Sequence, residues 1–203
     1  PFYGFEWTGN TGHQNVIYGS VDRGAPIYSS FAQGSRTPAE LWASLRRHPN
    51  YPALTIPHHP GSAMVHNDWD YHHPRYSALV EIFQACRGNY EGPGAFRQYS
   101  DAIVDGTFTI DGLLRGHRFG FIASSDHGHG ASYVGAFADG LDRGTVFDAL
   151  QQRRTFAATT RDVLVDVRLT DDADPSAPAL FMGEEGVVSG ARRISVHARG
   201  YTE

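Results

Sequence analysis

The apolar positions of this chain fall into short segments whose period changes several times. Residues 1–8 have the texture of a strand end, a Gly/Asn/Thr turn follows, and Val16, Ile17 and Tyr18 form a second apolar piece. Thr37-Pro38-Ala39-Glu40 is a helix start, with a hydroxyl cap, proline at the first helical position and glutamate three residues after the cap. Leu41 and Leu45 then share a face, and His48-Pro49 predicts the stop, because the residue before a proline avoids helical backbone. Residues 52–56 read as a short buried strand, 78–83 as another and 119–123 as a third. Residues 110–116 and 145–153 read as helices, the second with Val146, Phe147 and Leu150 on one face.

Strand, loop and helix in alternation predict an α/β domain with a largely parallel sheet. In such folds the reactive residues gather on loops that leave the C-terminal ends of strands. Glu6, the 57–61 loop and the 124–130 loop hold positions of that kind. Past Thr160 the pattern changes: Val163, Val165, Val167 and Leu169 alternate with polar residues, and so do Ile194, Val196 and Ala198. That is the pattern of antiparallel β structure with one face in solvent. It predicts two parts, residues 1–160 and a small β-rich segment over 161–203, cut off at its end.

Composition narrows the chemistry. Of 203 residues, 40% are hydrophobic and 19% charged, a globular balance, and the net charge of −5 argues against nucleic acid or anionic lipid as a partner. All 17 basic residues are arginine, which excludes Schiff-base chemistry and a phosphate loop of the lysine type. The single cysteine, Cys86, excludes an internal disulfide and a cysteine-rich zinc site. No apolar run is long enough to span a bilayer. The chain begins at Pro1 with no signal-peptide pattern, so a preceding segment is expected and compartment is not readable.

Histidine stands out, with 11 in the chain, several of them beside Pro, Gly or Asp in loops. Imidazole and carboxylate together are the donors of borderline divalent metals. The candidates are Glu6, His13 in Gly12-His13-Gln14-Asn15, His59 in the Pro-His-His-Pro loop, and Asp126 with His127. A Gly-x-Glu alone says little, and His13 alone would suit a turn histidine bonded to backbone. Asp-His in a Gly-rich loop directly after a buried strand is the most specific single piece, because it has few packing uses. His58, His73, Asp70, Glu81 and His129 are candidates to support the ligands or touch substrate, although Trp69, Tyr71 and Tyr76 give the 68–76 stretch the texture of an aromatic pocket wall.

Taken jointly, several motifs resemble the PHP (polymerase and histidinol phosphatase) superfamily of metallo-phosphoesterases, and within it a bacterial branch. They are Gly-Phe-Glu-Trp-Thr-Gly with Gly-His-Gln-Asn, Ile-Pro-His-His-Pro, Asp-Trp-Asp-Tyr-His-His-Pro, Val-Glu-Ile-Phe, Gly-Phe-Ile-Ala-Ser-Ser-Asp-His-Gly and Phe-Asp-Ala-Leu-Gln-Gln-Arg-Arg-Thr-Phe-Ala, spread over residues 2–160. The resemblance implies a distorted (β/α)7 TIM-like barrel, incomplete at its N-terminus, holding up to three Zn, Mn or Fe ions. By the same resemblance Glu6 is a metal-bridging carboxylate, and His13, His59 and Asp126 are ligands. His127 joins them, with His129 in reserve. The family's opening His-x-His strand has no counterpart within the chain and is expected upstream.

The function that follows is a metal-dependent hydrolase, foremost a phosphoesterase acting on a small phosphate ester with a metal-held hydroxide as nucleophile. Two alternatives stand beside it: an amide or ester hydrolase using the same metals, and a non-catalytic binding module.

Overall fold

A computed structural model describes the chain except residues 21–22, 99–102, 128–130, 175 and 201–203. Three strands come first to hand: β1 (Tyr3–Gly9), β2 (Gly12–Tyr18) and, after helix α1 (Pro38–Arg46), β3 (Ala53–His58). They form one antiparallel sheet in the order β1-β2-β3. The β1–β2 reversal needs only Asn10 and Thr11 between strands, and Gly12 takes φ +118 there, where a Cβ would crowd Asn67.

Next come β4 (Leu79–Gln84), β5 (Gly88–Asn89), α2 (Thr109–Leu114) and β6 (Gly120–Ser124), with β4 parallel to β6 and antiparallel to β5. The antiparallel partners β7 (Tyr133–Ala136) and β8 (Thr155–Ala158) flank α3 (Arg143–Gln151) in sequence. The last sheet has the order β10-β9-β11, from β9 (Leu164–Asp171), β10 (Leu180–Phe181) and β11 (Arg192–Arg199), all antiparallel. Every residue of β11 is exposed, so this strand has solvent on both faces rather than one.

The expected (β/α)7 TIM-like barrel with a largely parallel sheet is therefore overturned. The described strands fall into four small sheets, no closed barrel forms, and β4–β6 is the one parallel pair among them. A parallel barrel needs a helical crossover between successive strands. Here a two-residue turn sends β2 straight back along β1, and only three helices are present among the described residues. The local elements themselves lie close to where hydrophobic spacing put them; their directions do not follow from it.

Two helices are anchored by the groups their sequence advertises. Thr37 Oγ1 accepts from the Glu40 amide at 3.2 Å, and Asp142 Oδ1 accepts from the Thr145 amide at 3.1 Å. The first sheet then has two unlike faces, because side chains alternate along each strand. On one, Trp7, Val16, Tyr18 and Ala53 pack beneath Leu41, Trp42 and Leu45 of α1. On the other, Ile17, Leu54 and Ile56 pack against Leu79, Ile122 and the α3 residues Phe147 and Leu150. Both faces are thus spoken for, which fixes the register of β2 and β3. All three tryptophans are buried with their indole N–H bonded, to Ser35 O, Thr55 Oγ1 and Thr107 O.

A third cluster joins Trp69, Val80 and Phe119, and His72 stacks on His117 beside it at 4.3 Å between ring centroids. Burial holds the His72 imidazole down at about 4, assisted by His117 and His73. An unfolded chain protonates this ring near its ordinary pKa of about 6.5. Between those values the unfolded state carries a proton that the folded state refuses, so stability falls as pH falls from about 6.5 to about 4.

Two tests of the fold follow. Leu54→Ala, at a fully buried position between the two sheets, is expected to cost about 2–5 kcal/mol in urea denaturation. His72→Gln is expected to flatten the acid loss of melting temperature between about pH 6.5 and 4 relative to the unmodified protein. An unchanged slope would mean that His72 is already protonated in the fold.

Candidate metal centre

The same sheet face that buries Ile17, Leu54 and Ile56 at one end carries polar residues at the other. Glu6 lies opposite Asn15, Thr8 opposite His13 and His13 opposite His58. Glu6 and His13 are therefore diagonal neighbours on one face, within reach of each other. His59 follows directly after β3 with φ +36, a left-handed conformation that costs a non-glycine residue on the order of 1–3 kcal/mol. The turn swings its ring beside His13, at 4.8 Å between centroids in an edge-on arrangement.

One ligand atom each from Glu6, His13 and His59 lies within 4.8 Å of the others, so this trio can hold a metal ion. The unmet bonding of the rings points the same way. His13 Nδ1 is paired with Glu6 Oε1 at 2.6 Å, whereas among the described residues His13 Nε2 and His59 Nδ1 are buried without a hydrogen-bond partner. Buried polar nitrogens are ordinarily satisfied. Unpaired imidazole nitrogens beside a carboxylate are what a shared cation requires. Both rings are also shifted toward the neutral form that ligation needs. Burial lowers the His13 pKa against the opposing pull of Glu6, and burial plus the positive surroundings of His58, His13 and Arg87 push His59 down to about 3.

His58 is held differently. Burial alone would lower its pKa, but its bond to Glu81, and the charges of Glu81 and Asp126, raise it above the ordinary value. Nδ1 lies 2.9 Å from Glu81 Oε2 and Nε2 lies 3.4 Å from Asp126 Oδ1. Two adjacent histidines are thus shifted in opposite directions: His59 toward the neutral form, and His58, set between the carboxylates of Glu81 and Asp126, toward the protonated one.

Glu81 is fully buried on β4. It accepts from the His59 amide at 3.0 Å, from Gln84 Nε2 at 2.7 Å and from the Ser124 hydroxyl, in addition to His58. A register irregularity between Glu81 and Phe83 brings Gln84, three residues on, to the same side as Glu81. The carboxylate thereby ties β3, β4 and β6 together directly beneath the ligand His59.

The remaining expected residues are placed as follows. Asp126 sits in the loop after β6 with φ +55, but its carboxylate turns to Arg87 and His58 and is not among the three grouped ligand atoms. His127 is 84% exposed in its side chain and, among the described residues, reaches toward Asp126 at 3.7 Å. His129 lies outside the described residues. His73 packs on Trp42 and Tyr76 and meets Arg46, and Asp70 pairs with Arg115 on the surface; neither reaches the trio. Burial foremost, and Arg46 next, lower the His73 pKa.

Arg87, Gln84, Asn15 and Ser124 are site residues that motif reasoning passed over. Asn15 Nδ2 is 3.1 Å from His58 Nδ1, and Arg87 Nε donates to Asp126 Oδ2 at 2.9 Å. Arg87 stands three residues beyond a buried strand, a position that signals function as strongly as the loop after β6 does. An apolar cavity of about 730 Å³, lined by Phe119, Phe121, Phe156, Val165, Val167 and Met182 among others, is separate: no member of the trio lines it. Compared with protein-family models, curated proteins and solved structures, the chain matches none.

Zinc titration by calorimetry tests the centre. Stoichiometric uptake is expected for the unmodified protein and for His127→Ala, and its loss for His13→Ala and His59→Ala. Glu81→Gln, which disturbs the support of His59, is expected to weaken zinc by about 10–100-fold. Undiminished uptake by His59→Ala would remove the assignment.

Proposed function

We propose that the protein is a metal-dependent hydrolase, foremost a phosphoesterase. The observation that carries this reading is the Glu6–His13–His59 trio with its unpartnered imidazole nitrogens. Two imidazoles and one carboxylate are a donor set of catalytic zinc, in which three protein ligands leave a position for water or substrate. A divalent ion bound there supplies Lewis acidity and brings the pKa of its water toward neutrality. Zinc, manganese and iron all accept these donors, and a centre of several ions would draw on donors beyond the trio.

The chain's own residues have separable tasks. His13 and His59 present neutral nitrogen donors, and Glu6 supplies the anionic oxygen. Glu6 is the solvent-facing member, with 36% of its side chain exposed against 14% for His13, so substrate approaches from its side. Glu81 and His58 hold the His59 loop rigid, which keeps the donors in place while substrate binds and product leaves. The likeness of the ligand-bearing motifs to metallo-phosphoesterases narrows the reaction to phosphoester cleavage, in which water adds at phosphorus and the alcohol departs with a proton.

Hydrolysis of an aryl phosphate, assayed with zinc, manganese and iron in turn, provides the test. Turnover is expected with at least one of these metals, to be lost on chelation and restored by the ion, and to be abolished in His13→Ala and His59→Ala. A protein that binds metal stoichiometrically yet cleaves neither phosphomonoesters nor phosphodiesters would overturn the phosphoesterase reading.

A further inference from the structure

Arg87 is joined through Asp126 to His58 beside the trio, and among the described residues its guanidinium has only Asp126 and the sulfur of Met64 as bonding partners. It lies in the turn after β4, and Asp126 lies in the loop after β6. Because β4 and β6 are parallel, these two turns meet at one end of the sheet, where the Ala85 amide also donates to Ser124 O at 3.0 Å. The guanidinium spends Nε on Asp126 Oδ2 at 2.9 Å. Its Nη1 points at the sulfur of Met64, 3.5 Å away. A thioether is a weak acceptor, and Met64 is 72% exposed, so an anionic oxygen displaces it at little cost.

Two features separate Arg87 from an ordinary surface arginine. Its side chain is only 19% exposed, so its charge is less screened by water than that of a surface pair. Asp126 also joins it to the ligand loop, since the other oxygen of that carboxylate faces His58, the residue before His59. Other arginines are committed elsewhere: Arg115 to Asp70, and Arg118 and Arg153 to Glu185.

We propose that Arg87 is the anion-binding residue of this site, held in orientation by Asp126 through Nε and using its Nη edge to grip the non-reacting oxygens of a phosphate group. The proposal rests on reading the trio as a metal centre, and it specifies the substrate class: an ester of an anionic phosphate, and not a neutral amide or carboxyl ester. A planar fork matches two phosphate oxygens at once, which a lysine in its place would not.

The test uses inorganic phosphate as the probe, titrated by calorimetry into zinc-loaded protein at fixed ionic strength, with zinc stoichiometry measured separately on each variant. Arg87→Gln is expected to bind zinc as the unmodified protein does while losing roughly tenfold or more in phosphate affinity. Arg87→Lys is expected to recover part of that loss, since the charge remains and the fork does not. Met64→Leu, which removes only the sulfur acceptor, is expected to leave phosphate affinity undiminished. Unchanged phosphate affinity in a zinc-loaded Arg87→Gln protein would overturn the role of Arg87 and leave the metal centre standing. Failure of the unmodified protein to take up zinc, manganese or iron would instead sink the centre, and the proposal with it. Should Arg87→Gln lose its native circular dichroism, Arg87→Lys decides alone: weaker phosphate binding supports the fork, and equal binding overturns it.

Discussion

A carboxylate fully withdrawn from water is the constraint around which the centre is organised. Stripping Glu81 of its hydration costs several kcal/mol unless donors replace the lost water. The donors that do so come from three strands or strand ends: the His59 amide and His58 ring after and within β3, Gln84 on β4 itself, and the Ser124 hydroxyl on β6. Satisfying one anion therefore dictates where the chain leaves β3 and how β4 and β6 align. It also stabilises the positive φ of His59, a conformation the residue would not adopt without such a tether.

From that tether the division of labour between neighbouring histidines follows. His58 faces two carboxylates that raise its pKa, whereas His59, one residue on and turned by the left-handed backbone, lies beside His13 and Glu6 and has its pKa lowered. Charge on His58 in turn makes protonation of His59 harder. A metal held by the trio would meet less competition from protons at His59, so a single pair of residues both stiffens the loop and keeps its nitrogen available.

The antiparallel turn between β1 and β2 has a functional consequence as well as a topological one. In a parallel sheet Glu6 and His13 would sit on separate strands joined by a crossover. Here seven residues of chain and a two-residue turn place them diagonally on one face, so two of the three donors come from a single hairpin. The third arrives from the neighbouring strand's end. Asp126 and Arg87 approach from the parallel β4–β6 pair and meet one another first, as oppositely charged groups at adjacent strand ends will.

Much was legible from local pattern alone. Thr37-Pro38-Ala39-Glu40 announces its helix through cap chemistry, the alternating valines after Thr160 announce β9, and Glu6, His13 and His59 are residue types that ligate metals, the two histidines beside turns although Glu6 lies in the middle of β1. Such signals are local because capping, alternation and donor chemistry act within a few residues. Strand direction was not legible, since a buried strand has the same apolar texture whichever way its neighbour runs, and so the barrel expectation failed. The choice of His59 over His58 as donor agrees with the trio, but the sequence could not exclude His127 from the cluster or bring forward Arg87. Those outcomes depend on which way a side chain points at a positive φ and on which opposite charge it meets first, and only the packed chain decides both.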